Sequence, residues 1–310
     1  MSLRAKPGRL LAVAVVGIAV AAGAWSVPAL GAAGGLGRLG TPAAPPGSPA
    51  GRSPSAAASE RAAATRALQR MFRVSGPLPF ERFPGTRTRR VGAVTIVLSG
   101  NWSGYVDDNS TGRTYSAATG TWTQPKITCT ASEDELAGWW VGLDGYSDQT
   151  VEQDGTFAWC YADAAYYYTW WETFPDNALV VGTSVAPGDR ITASVTVTSQ
   201  GYRLTVTDST HKANTFTTVQ QCPSGSSCYD ASAEWIAETP SGPRGMWPWP
   251  PFGTWRLSSA RATSDGKTAG INAFPDDQIY IVGDDGDTLA NTGNLAKAGN
   301  AFGVTWSYAY

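Results

Sequence analysis

From about Ser99 to the C-terminus the chain is written in a period of two. "RITASVTVTSQ" puts Ile191, Ala193, Val195 and Val197 on one face of a strand. "GYRLTVTDS" answers with Tyr202, Leu204 and Val206, and Gln200-Gly201 falls at the turn between them. "TFTTVQQ", "DQIYIVGDD" and "FGVTWSYAY" repeat the pattern, separated by Gly, Asn, Asp and Ser. No amphipathic stretch of twelve residues with helical spacing occurs after residue 99, and no internal repeat is visible. Many short strands in one run predict a single all-β domain, a sandwich or a barrel.

Composition narrows the chemistry of that domain. Residues 99–310 carry four lysines and six arginines against 23 acidic residues, a formal −13. That balance excludes nucleic-acid binding, which needs a positive surface for phosphates. His211, the one histidine, excludes a multi-histidine metal site; within "DSTHKAN" it reads as a solvated turn residue rather than a catalytic base. Two Asp-Thr/Ser-Gly loops of the pepsin kind are missing. No metal and no cofactor is expected. The four cysteines form no CxxC pair, which excludes a zinc ribbon or a thioredoxin motif. Cys222 and Cys228 bracket a short loop and are read as a local disulfide, leaving Cys129 with Cys160, although four cysteines permit three connectivities.

The N-terminal part is opposite in character. Residues 1–98 carry Lys6 and twelve arginines against Glu60 and Glu81, a formal +11. Arg4, Lys6 and Arg9 precede an apolar run from Leu10 to Ala22, and Ala22-Gly23-Ala24 offers a small-residue cleavage site. Residues 1–24 therefore read as a signal peptide and the protein as secreted, with no stable membrane association after signal removal, because the run is shorter than a span requires. Export also suits oxidised cysteines. Residues 25–98 read as a basic propeptide, mostly disordered where Ala, Gly, Pro and Ser dominate. A short helix is expected near 59–75, with Ser59 as its cap and Leu68, Met71 and Phe72 on one face. Arg82, Arg87, Arg89 and Arg90 follow, able to reach carboxylates of the acidic body.

Three segments of the body could carry chemistry. "WWVGLDGYSDQTVEQDGT" leads a strand into two Asp-Gly turns, with Gln153 between acidic neighbours. "YYYTWWETFP" sets Glu172 in an aromatic strand. In "AEWIAETP" an extended chain puts Glu234, Ile236 and Glu238 on one face and Ala233, Trp235 and Ala237 on the other. Two readings fit this pattern: a solvated sheet surface, or carboxylates facing an aromatic groove where partial burial raises a pKa. The pattern does not choose between Glu234 and Glu238.

Taken in order, "SGNWSGYV" (99–106), "WVGLDG" (140–145), Gln153 with Gly155, "WWETFP" (170–175), "VAPGDRITASVTV" and "AEWIAE" resemble the glutamic peptidases, or eqolisins. The resemblance covers residues 99–310, which would form the catalytic domain. It implies a secreted acid endopeptidase made as a proenzyme, with two packed antiparallel sheets in a concanavalin/lectin-like jelly roll. By motif the catalytic glutamine falls on Gln153 and the catalytic glutamate on Glu238. Substrate-groove positions fall on Trp102, Trp140, Asp144, Gly155, Trp170, Glu172 and Phe174. The chain departs from the family pattern at Phe157, where an acidic residue is common, and at Thr239-Pro240-Ser241, where fungal members carry an acidic-aromatic stretch.

A Gln/Glu pair suits peptide hydrolysis. An ionised Glu238 can take a proton from attacking water and return it to the leaving amine. Gln153 can donate its amide to the oxyanion while staying neutral beside the glutamate. The expected partners are a polypeptide substrate and the protein's own propeptide as an intramolecular inhibitor, in a monomer. The rival readings are a sandwich-fold glycoside hydrolase using Glu172 and Glu238, and a non-catalytic carbohydrate-binding module presenting its tryptophans.

Overall fold

The computed structural model describes residues 54–73, 76–81, 88–91, 94–108, 110–130, 134–181, 185–242 and 245–307. The expected signal peptide lies outside them, as do Arg82 and Arg87. One α-helix, α1 (Pro54–Met71), is followed by β1 (Thr88–Val91), β2 (Val94–Ser99), β3 (Trp102–Asp107), β4 (Tyr115–Thr123) and β5 (Glu135–Leu143). Then come β6 (Val151–Tyr161), β7 (Ala164–Phe174), β8 (Leu179–Val180), β9 (Arg190–Thr198), β10 (Gly201–Asp208), β11 (Phe216–Gln220) and β12 (Ala233–Glu238). The chain ends with β13 (Ser241–Gly242), β14 (Gly245–Met246), β15 (Thr254–Ser264), β16 (Lys267–Ala269), β17 (Asp276–Val282), β18 (Thr288–Thr292) and β19 (Phe302–Trp306).

The strands pair in two runs. In one, β8, β7, β6, β5, β12, β3 and β17 are antiparallel neighbours in that order. β2 lies parallel to β17, and β1 pairs with β2. In the other run β11, β10, β9, β4 and β15 are antiparallel neighbours, with β16 and β19 also on β15. β18 pairs with both β19 and β17 and so connects the runs. The fold is all-β and antiparallel but for one pairing, as the period-two pattern predicts.

The 190–208 hairpin is where that pattern is most direct. Ile191, Ala193, Val195, Tyr202, Leu204 and Val206 are all buried. Thr198 pairs with Gly201, so the turn is Ser199-Gln200, one residue earlier than expected, and Gly201 opens β10 at φ +104°. Gly120 of β4 lies against Val141 of β5 and Trp235 of β12, so the runs pack face to face. Trp139, Trp235, Trp122 and Trp255 fill the space between them, and the Trp235 indole donates to the Thr119 carbonyl at 2.8 Å. Both expected disulfides are present, Cys129–Cys160 and Cys222–Cys228.

The opposite face of the first run is also covered. There Trp102, Trp140, Phe157, Trp170 and Ile236 meet Ala64, Leu68 and Phe72 of the N-terminal segment in a second apolar cluster. Phe157 stands between Phe72, at 5.0 Å, and Trp170, stacked at 4.3 Å. Gln69 closes two bonds with the body, donating to the Ala178 carbonyl at 3.0 Å and accepting from the Val180 amide at 2.9 Å. The helix begins at Pro54, five residues before the expected cap at Ser59. Proline suits a first helical position and the alanines that follow are strong helix formers, so a cap at Ser59 was not needed.

Several carboxyl groups are buried in this fold. Burial pushes Asp107, Asp154 and Glu234 well above the usual carboxylate range, and Glu152 up to about 10. An acid held above its unfolded pKa favours the fold while it is protonated. The contribution is complete below the unfolded value of roughly 4 and is lost as pH rises through the folded value. The melting temperature should therefore be highest at about pH 3–4 and fall by several degrees by about pH 8. Calorimetry across that range checks this; a melting temperature that rises with pH would contradict it.

Candidate active site

Strand β12 lies between β3 and β5, with Glu238 opposite Trp102 on one side and Gly138 on the other. Alternation turns Ala233, Trp235 and Ala237 into the core between the two runs. Ile236 faces the other cluster, and Glu238 is its neighbour on that face. The Gly138 position has no room for a side chain, since a Cβ would stand 2.7 Å from the Phe157 ring. Glu238 is fully buried, yet both its oxygens are bonded. Oε2 accepts from the Trp140 indole at 2.8 Å, and Oε1 accepts from the Leu78 amide at 3.0 Å. Burial pushes the Glu238 pKa up to about 8, while the Leu78 amide and the Trp140 indole pull it down.

Gln153 on β6 and Glu172 on β7 are direct cross-strand partners. The Gln153 amide donates to Glu172 Oε2 at 2.6 Å, whereas Gln153 Oε1 is buried without a protein hydrogen-bond partner. Burial, and next the Glu238 charge, raise Glu172 well above the usual range. The bond to Glu172 fixes which way the glutamine amide points. Gln153 bonds Glu172, and the Glu238 charge acts on Glu172, so Glu172 links the two residues of the expected pair.

Aromatic residues build the walls. Trp102 and Trp140 meet edge to face at 4.9 Å. Gly155 pairs with both Trp140 and Trp170, and a Cβ there would collide with the Trp139 carbonyl. A cavity of about 270 Å³ opens beside Glu172, Phe174 and Leu78. Asp144 is placed differently from the other groove positions. At φ +66°, its carboxylate accepts the amides of Tyr229, Asp230 and Ala231, so it clamps a turn. His211 is more than half exposed and its Nδ1 lies 2.9 Å from Asp189 Oδ1, apart from the groove residues.

Sequence reasoning missed the segment that lies across these residues, "GPLPFE", residues 76–81. Its two prolines favour an extended chain, which was the available signal. The Trp102 indole donates to the Leu78 carbonyl at 3.1 Å, and the Phe80 amide donates to the Gly145 carbonyl at 2.8 Å. Ser241 holds the other end through its amide and hydroxyl, both donating to the Gly76 carbonyl. Asn101 is buried; it accepts from the Glu81 amide and donates to the Leu78 and Pro79 carbonyls. The two departures from the family pattern, Phe157 and Ser241, are thus both contacts of the N-terminal segment. In Asn101→Ala, hydrogen-exchange protection of the Leu78 and Glu81 amides should drop by roughly 10–100-fold, the loss of a buried bonded group, while β5 and β12 amides hold. Unchanged protection at Leu78 would contradict the role given to Asn101.

A match to the peptidase A4 family runs over residues 100–302. Aspergillopepsin-2 of Aspergillus niger is 28% identical over 236 residues, covering 69% of this chain and 80% of that protein. A crystal structure of scytalido-glutamic peptidase with a transition state analog inhibitor superposes with a TM-score of 0.58 at 19% identity, covering 67% of this chain and 98% of the other. SCP-B, a member of the eqolisin family in a complex with the tripeptide Ala-Ile-His, superposes with a TM-score of 0.53 at 20% identity, again over 67% and 98%. These structural likenesses speak for a shared fold.

Proposed function

The chain belongs to the peptidase A4 family, the glutamic peptidases, and on that premise we propose that it is a secreted acid endopeptidase with Glu238 and Gln153 as its catalytic pair. The observation that carries this is a carboxylate in a tryptophan-walled groove with a peptide amide nitrogen 3.0 Å from one oxygen. A carboxylate within hydrogen-bond reach of a peptide group in the groove is within reach of the atoms that a general base and acid must serve.

In the reaction, ionised Glu238 takes a proton from water as the water attacks the carbonyl carbon, then gives it to the nitrogen as the C–N bond breaks. Trp140 stays bonded to the other oxygen and keeps the carboxylate oriented. Gln153, held by Glu172, points its free carbonyl oxygen at the water and its second amide hydrogen at the oxyanion. No metal or cofactor enters. Twelve tryptophans after residue 99 suit the walls of a peptide groove as well as a sugar platform, and family membership favours the peptide.

The wider organisation we propose is a signal peptide at 1–24, a basic leader over 25–98 and a catalytic domain over 99–310 in two packed sheets of jelly-roll kind. The leader acts as an intramolecular inhibitor. Support comes from the Leu78 amide, which with Trp140 engages both Glu238 oxygens in a site that is fully buried. This contact is a main-chain bond; of the arginines expected to reach the carboxylates, Arg82 and Arg87 lie outside the described residues, as do the side chains of Arg89 and Arg90. Because β1 and β2 are bonded to the body, the cut that frees the groove is expected before Thr88.

Glu238→Ala should abolish hydrolysis of a denatured protein substrate at pH 4, and Gln153→Ala should lower kcat by roughly 10²–10³, the cost of an oxyanion donor. Glu234→Ala should keep its activity. If Glu234→Ala is dead and Glu238→Ala is active, the wrong carboxylate has been named. Leu78→Pro removes the amide from Glu238 and should raise peptidase activity of the full chain at pH 6 by about 10-fold or more, since each 1.4 kcal/mol of lost docking is tenfold. An activity equal to that of the unsubstituted chain at pH 6 would count against inhibition by this segment.

A further inference from the structure

The segment over the groove carries one side chain into a notch of its own. The Phe80 ring lies 5.7 Å from Trp102 and 4.8 Å from Tyr146, tilted against both. Its main chain is fixed on both sides, by the Gly145 carbonyl at the Phe80 amide and by Asn101 at the Glu81 amide. Tyr146 is itself held, since its hydroxyl donates to Asp277 Oδ2 at 2.6 Å. The turn that presents Tyr146 is built from left-handed residues, Asp144 at φ +66° and Gly145 at φ +95°. The Asp144 clamp on Tyr229–Ala231 and the bond from the Gly145 amide to Asp148 Oδ1, at 3.0 Å, lock that turn. An aromatic wall with a fixed ring, a fixed turn and a fixed hydroxyl is a preorganised pocket, and such pockets select by what fills them.

We propose that the notch between Trp102 and Tyr146 is a specificity subsite for an aromatic side chain of the substrate, with Asp277 as a positioning residue acting through the Tyr146 hydroxyl. Its place along the substrate follows from Leu78. That amide donates its N–H to Glu238 Oε1, so Pro77–Leu78 is the peptide that lies against the proton-carrying carboxylate, and a substrate bound in the same register is cut there. Phe80 is then the third residue after the cut. The ring there reaches Trp102 and Tyr146 by apolar and edge-to-face contact, which favours Phe, Tyr or Trp over small or charged side chains. This assignment rests on the peptidase reading above, with Glu238 as the proton-carrying group.

The test uses the full chain, activated at pH 4, on a mixture of peptides from a digested proteome, with every cut mapped. Aromatic residues should be enriched at the third residue after the cut, and a peptide with Phe there should be cleaved with a kcat/KM about 10-fold above its Ala counterpart. Tyr146→Ala should remove that enrichment and bring the two peptides within about twofold, with preferences at the other positions unchanged. Tyr146→Phe, which keeps the ring, should retain the enrichment, and Asp277→Ala should weaken it through KM more than kcat. Near-ultraviolet circular dichroism checks that the variants fold, and the Phe/Ala peptide pair on the unsubstituted chain decides the matter even where a variant does not. No enrichment at that position, or enrichment that survives Tyr146→Ala, overturns the subsite. A chain that cuts no peptide at all overturns the peptidase reading instead.

Discussion

A carboxylate set among indole rings has to be stabilised by something other than bulk water, and the outer face of the sheet is organised around that requirement at Glu238. Two donors do so, the Trp140 indole and the Leu78 amide. The first comes with β5 and the second with the N-terminal segment. In the reading proposed above, the first donor stays to orient the carboxylate and the second leaves with the leader, so that one desolvated charge would account for both the site and its inhibition.

The antiparallel sheet makes this possible by separating two environments a single residue apart. On β12, Trp235 fills the core between the paired runs while its neighbour Ile236 faces the groove. On β6 the same alternation puts Ala158 inward and Phe157 outward, with Gln153 on the strand that β7 completes through Glu172. The pairing of Gln153 with Glu172 is fixed by register, so a one-residue slip would separate them. Burial raises other acids too, such as Asp154 and Glu152, and the expected dependence of stability on pH rests on these.

How much of this was legible in the sequence differs from element to element. The 190–208 hairpin was, because alternation is a local signal and burial followed it at each expected apolar position but Val197, which is half-buried. The helix was seen but not its start, since Pro54 and the alanines after it match the Ala-, Gly-, Pro- and Ser-rich composition of the sequence before them. Glu234 and Glu238 could not be told apart, because period two places both on one face and only the partners across the sheet distinguish them. Asp144 lay in a family motif, yet its carboxylate turns to the backbone of Tyr229–Ala231. The segment 76–81 escaped because on its own side the bonds are made by main-chain groups, to residues as far apart as Asn101, Gly145 and Glu238, and main-chain donors and acceptors leave no residue-type signature.

The most direct measurement of the central claim is the titration of Glu238 itself, followed by carbon NMR on chain labelled at the carboxyl carbons of its eight glutamates and assigned with Glu238→Gln. In the full chain the Glu238 signal should titrate near pH 8. After activation at pH 4 it should move into the ordinary carboxylate range, because departure of the leader lets water reach the carboxylate and relieves the burial that raised it, while Trp140 stays in place. A signal that titrates at the same pH before and after activation would show that the leader does not cover this carboxylate, and would contradict the account.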